Sequence, residues 1–72
     1  MPQTFLLIEE WDDARELIKV MLEMLGHEVI WARDEAEAEK VASNTPIDFV
    51  LIGNQSFTLD EWRRKHRKDG AN

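Results

Sequence analysis

The 72-residue chain has no cysteine and no tyrosine, only two prolines and three glycines, and no apolar stretch near the roughly 18 residues of a membrane span. Each absence excludes something. Without cysteine, neither a disulfide nor a thiolate zinc site supplements the core, and the lack of thiols fits a reducing compartment. Met1 to Ile8 lacks the basic start and cleavage site of a signal peptide, so the expected location is the cytoplasm, with no membrane. No G-x-G-x-x-G or P-loop is present. Ser43 and Ser56 have no patterned base beside them. His27 and His66 stand far apart, with no cysteine or acidic partner at a metal-ligand spacing. The expectation is a protein that is not an enzyme and holds no cofactor.

Bases are also scarce: 9 Lys and Arg against 15 Asp and Glu, a net charge of −6. They are unevenly placed. Residues 1–62 carry 14 acids and 4 bases, whereas residues 63–72 carry 5 bases and 1 acid. An acidic body repels phosphate at long range, so nucleic acid is an unlikely partner. The run Arg63-Arg64-Lys65-His66-Arg67-Lys68 reads first as a solvated helix end. What is plentiful is apolar residue, at 43%, with 33% charged, a globular composition. A domain this small stores only about 3–5 kcal/mol in its core. Close packing or a partner chain has to add to that.

The apolar pattern alternates between two periods. Thr4-Phe5-Leu6-Leu7-Ile8 is a short continuous run, as in a strand buried on both faces. Ala14, Leu17, Ile18, Met21, Leu22 and Leu25 then fall on one face of a helix. Asp12 or Asp13 is its expected N-cap, with Asp13 and Glu16 spaced as a capping box. Gly26 fits the position after the helix where positive φ is needed. His27 to Ala32 is a second strand, and Asp34 with Glu37 opens a second helix that ends before Pro46. Phe49-Val50-Leu51-Ile52 is a third strand, closed by Gly53-Asn54. Thr58 and Glu61 form a capping box for a last helix running through Trp62 to about Lys68, with 69–72 a frayed end. The order is βαβαβα in one domain, residues 1–68, which implies parallel strands and right-handed crossovers.

With these elements placed, the chain resembles the receiver domain of bacterial two-component response regulators over residues 4–54. The residues that carry the resemblance are Leu6-Leu7-Ile8-Glu9-Glu10, the following Asp12-Asp13-Ala14-Arg15-Glu16-Leu17, the turn Gly26-His27-Glu28-Val29, and Pro46-Ile47-Asp48 leading the third strand. The resemblance implies a flavodoxin-like three-layer unit with parallel strand order 2-1-3, cut short of the family's five strands. It places Gly53 at the phosphoacceptor position, where glycine offers no oxygen to phosphorylate. It places Glu9 and Glu10 at the acidic pair that helps to hold Mg²⁺. Without the acceptor carboxylate they are weak metal candidates, and helix capping with solvated glutamates is the simpler reading of Glu9, Glu10, Asp12 and Asp13.

The resulting expectation is a non-phosphorylatable pseudo-receiver, a protein–protein interaction module in signal transduction. With no fourth strand, Phe49, Val50, Leu51 and Ile52 would form a bare apolar sheet edge. A homodimer, or another signalling protein, would complete the sheet there. Trp11 and Trp62 join the expected interaction residues, since tryptophan is enriched at interface hot spots. The alternatives are a small DNA-linked regulator using the basic C-terminal helix, and a receiver fragment or engineered piece with no activity of its own.

Overall fold

The computed structural model describes residues 2–66. Arg67 and Lys68 of the basic run and the expected frayed end, residues 69–72, lie outside the described residues. The described residues form a four-stranded mixed sheet with three helices. In order these are β1 (Thr4–Ile8), α1 (Asp12–Met24), β2 (Glu28–Ala32), α2 (Glu35–Asn44), β3 (Phe49–Ile52), β4 (Gln55–Thr58) and α3 (Leu59–His66). No described helix is long and apolar enough to cross a membrane.

The sheet order is β2-β1-β3-β4. β1 pairs in parallel with β2 and with β3, Leu6 standing opposite both Ile30 and Val50. The expected three-stranded, all-parallel sheet of order 2-1-3 is not matched, because a fourth strand joins it. β4 runs antiparallel to β3, with Ile52 opposite Gln55 and Val50 opposite Phe57. The expected bare edge at Phe49–Ile52 is therefore corrected: that strand is internal, flanked by β1 and β4. Its backbone groups are paired on both sides, so it offers no ladder to a partner. Val50 is buried, and Phe49, Leu51 and Ile52 are half-buried.

The cause lies in two residues. Only Gly53 and Asn54 separate the paired Ile52 and Gln55. Gly53 has φ +63, and Asn54 is not among the positive-φ residues. Glycine at the first central position with positive φ is the pattern of a type II′ turn, whose twist matches an antiparallel hairpin. The chain thus turns straight back along β3 instead of crossing over.

The helix ends explain the rest of the layout. At α2, Asp34 Oδ1 accepts the Glu37 N–H at 2.9 Å, and Glu37 Oε1 accepts the Arg33 N–H at 2.7 Å. At α3, Thr58 Oγ1 accepts from Glu61 N (3.1 Å) and Glu61 Oε1 from Thr58 N (2.9 Å), the full reciprocal capping box. At α1 the expected cap is corrected. Trp11 is the N-cap and makes no side-chain cap bond, while Asp12 and Asp13 lie in the first turn, where they complement the helix dipole. That helix closes through Gly26 at φ +91, with Gly26 N–H to Glu23 O at 3.0 Å and His27 N–H to Leu22 O at 3.1 Å, a Schellman motif.

Most of the core lies on one side of the sheet, while Leu7, also fully buried, alternates to the other side. On the main core side Leu6, Ile8, Ala32 and Val50 pack against Ala38 and Ala42 of α2, Ile47, and Trp62 of α3. α2 covers β1 and β2, and α3 covers β3 and β4. Trp62 is only 1% exposed, which corrects its expected place among interaction residues. Among the described residues it is the largest fully buried side chain, and it packs in the core beneath α3. α1 lies on the opposite side. Trp31 alternates with the core-facing Ala32, so it points the other way, and the Arg15 guanidinium sits over its ring at 4.0 Å.

Candidate functional surface

Three surfaces bear on function. The first is the carboxyl end of β1 and β3, where open α/β sheets place their sites. An open depression of about 500 Å³ lies there, lined by Glu9, Glu10, Trp11, Arg33, Asp34, Glu35 and Gly53 among others. The structure thus brings together the expected acidic pair and the expected acceptor position. None of the lining side chains is a serine, threonine, cysteine, histidine or lysine. Among the described residues no three His, Cys, Asp or Glu side chains are grouped to hold a metal ion. Glu9 is spent locally: its Oε2 accepts the Trp11 N–H at 3.1 Å, and its carbonyl accepts the Trp31 indole N–H at 2.6 Å. These bonds tie the β1–α1 loop to β2. Gly53 opens the hairpin turn, so the backbone conformation at this position is set by β4.

The second surface is the basic end of α3. Arg63 reaches inward, its Nη2 donating to the Ala42 carbonyl at 3.4 Å. Lys65 lies over the Phe57 ring at 5.7 Å. Both stems therefore help to fasten α3 and β4 to the body, the ordinary packing use of long cationic side chains. Lys65 and the exposed Arg64 border a shallow depression beside Ser56 and Glu61.

The third surface is α1. The six-residue apolar stripe falls on one face of this helix, yet no residue of the helix is fully buried. Leu17 is 63% exposed, Met21 56%, Met24 81%, and Leu25 just beyond the helix 72%. Val20 is also exposed. At positions i, i+3, i+4, i+7 and i+8 these five large apolar side chains are neighbours on one stretch of the helix surface, the kind of exposed apolar patch that marks an interaction site. Trp11, 73% exposed, stands at the N-terminal end of the helix beside Glu10, Asp12 and Asp13. Of the tryptophans singled out from sequence, Trp11 is accessible and Trp62 is not.

The reason for this exposure is an imbalance of helices between the two sides. α2 and α3 together cover all four strands on the core side. On the other side α1 packs against β2. Among the described residues, no helix covers the β3–β4 half of that side. Its floor is set by register: Leu51 beside Ser56, and Phe49 beside Thr58. Phe49 stacks on Phe5 at 5.3 Å, which continues the apolar floor toward β1.

Sequence reasoning missed this surface, although a signal was present. The apolar positions of α1, with Val20 and Met24 added to the predicted stripe, span more of the helix than contact with one sheet can cover. No protein-family model, no curated protein and no solved structure matches the chain.

Proposed function

We propose that the chain is a non-catalytic protein-interaction module built on a receiver-like scaffold, and that its docking surface is the exposed apolar face of α1 with the adjoining floor of β3. The observation that carries this reading is α1 itself, a helix with no fully buried residue that turns Leu17, Met21 and Met24 to solvent. A side chain the size of leucine gains about 1.5–3 kcal/mol on full burial. Several of these on one helix are a large unused stabilisation in a small domain. Methionine suits the role, because its flexible thioether adapts to more than one partner surface.

The parallel β2-β1-β3 order and the acidic pair at the end of β1 support a receiver-like scaffold. Glycine at position 53 supports a module that works without phosphorylation, since no carboxylate stands at the end of β3 to accept the group. Signalling by recruitment, with the fold as a rigid platform, is the activity that remains.

Two measurements test the reading. Affinity capture from the source cell's lysate compares wild-type bait with Met21→Asp and Met24→Asp baits of unchanged circular dichroism. Proteins captured by the wild type and lost by both variants support it, and identical capture by all three baits refutes the surface. Intact-mass analysis after incubation with acetyl phosphate and Mg²⁺ is expected to show no phosphate adduct. An adduct would remove the phosphorylation-independent part of the proposal.

A further inference from the structure

Resting on that reading of the α1 face, the geometry points to one kind of occupant: a basic amphipathic helix of another protein, laid beside α1 over β3 and β4. Strands lie about 4.8 Å apart, so the uncovered pair β3 and β4 makes a strip roughly 10 Å wide, the diameter of one helix with its side chains. Arg15 marks the flank of α1 that faces β2. Leu17 comes two residues later, about 200° round the helix, and Met21 lies one turn beyond it. Both therefore stand on the part of α1 turned away from β2, and both are exposed. A helix seated on the strip beside α1 meets Leu17 and Met21 at its side and Leu51 and Phe49 beneath it.

Charge selects among helices of that shape. The N-terminal end of α1 carries Glu10, Asp12 and Asp13 together, all exposed. Of these, Asp12 is paired with Arg15 at 3.3 Å. The body formed by residues 1–62 is strongly acidic. Lys or Arg residues on the polar flank of an incoming helix gain from this field, and Glu or Asp residues lose.

A second copy is the obvious competitor, and charge disfavours it. A ridge beside a groove of equal width is self-complementary under a two-fold axis parallel to the ridge. That operation sets the two α1 helices parallel. It brings Glu10, Asp12 and Asp13 of both copies to the same end, where like charges repel. The chain's own basic helix is not free to fill the strip either, because Trp62 holds α3 in the core on the other side of the sheet.

The test uses two synthetic 18-residue peptides with the same leucine stripe at helical spacing, one with lysine and one with glutamate at the polar positions. Binding is read by fluorescence anisotropy and mapped by amide chemical-shift changes on the wild-type protein. The lysine peptide is expected to bind at least tenfold more tightly than the glutamate peptide. Its affinity should fall severalfold when salt is raised from low to near-physiological ionic strength and beyond, and the shifts should cluster on α1, β3 and β4. Met21→Asp is expected to weaken it at least tenfold and Asp13→Asn severalfold, whereas Asp60→Asn on α3 leaves it unchanged.

Equal binding of the two peptides at the mapped strip overturns the basic partner but leaves α1 as a docking face. Sedimentation of the protein as a dimer that Met21→Asp dissociates, with no peptide bound, assigns the face to a second copy and overturns the proposal in the same way. Lysine-peptide shifts confined to residues outside the strip overturn the proposed site. A monomer that binds neither peptide overturns both this inference and the reading it rests on.

Discussion

Replacing Gly53 by alanine isolates the one backbone choice that turns the chain into β4. Gly53 has φ +63, and a Cβ built on it has no heavy atom within 4 Å, so the substitution adds no steric clash. What remains is the intrinsic cost of placing an L-residue in the left-handed region, about 1–2 kcal/mol. Against it stands a gain of about 0.4–1 kcal/mol, because alanine narrows the unfolded ensemble. The expected balance is a loss of about 1 kcal/mol, or about 4–8 °C in the melting midpoint of a domain this size. Thermal and urea unfolding followed by circular dichroism measures it. The mirror-image control is decisive and is within reach of chemical synthesis for a chain of this length. Gly53→D-Ala keeps the left-handed conformation without strain and still narrows the unfolded ensemble. It is expected to match or exceed the wild type. If Gly53→Ala melts with the wild type, or if the D and L variants lose equal stability, the turn is not what Gly53 is there for and the account of β4 is wrong.

The other predictions concern the packing that the hairpin makes possible. Trp62→Ala removes the largest fully buried side chain, at a cost of about 3–5 kcal/mol. That equals the whole reserve of about 3–5 kcal/mol expected for a domain this small, so the variant should have lost its cooperative melting transition at 25 °C. A folded Trp62→Ala protein with a sharp transition would contradict this placement of the core. Thr58→Ala deletes the α3 cap and should cost about 1 kcal/mol by urea denaturation. Ser at this position should restore most of it, and failure to do so would argue against the capping bond. Trp31→Phe removes the 2.6 Å bond to the Glu9 carbonyl. A loss of about 0.5–1.5 kcal/mol is expected, with faster amide exchange at Glu9 to Trp11, and unchanged exchange there would show that the loop is held by other contacts.

Much of the fold was legible from residues. The three helices, the three parallel-sheet strands and two of the three helix starts follow from period and capping chemistry, which are local properties. Thr58 with Glu61 is the clearest case, since both partners of the box sit within one turn and need no tertiary context. The missed strand was local too. Gly53-Asn54 between Ile52 and Gln55 is a two-residue hairpin signal, and the alternation of Ser56, Phe57 and Thr58 suits a half-covered strand. The resemblance to a receiver makes Gly53 an acceptor position, whereas the local residues specify a turn there, and the structure follows the local residues. The α1 cap was misplaced for a different reason. Asp12 and Asp13 suit either a cap or a first turn, and the choice depends on the loop that Glu9 and Trp31 hold.

The sequence by itself determined the three helices, the three parallel strands, the acidic body and the absence of a thiol-based staple, because each depends on residues near one another in the chain or on counts. Only the tertiary structure decided which apolar residues are available to a partner. Trp62, Trp11, Leu17 and Val50 look alike as hydrophobes in a list. Burial depends on how many helices share each side of the sheet. Here α2 and α3 bury Val50 and Trp62 on one side, and α1, without a second helix beside it, leaves Leu17 and Met21 open on the other.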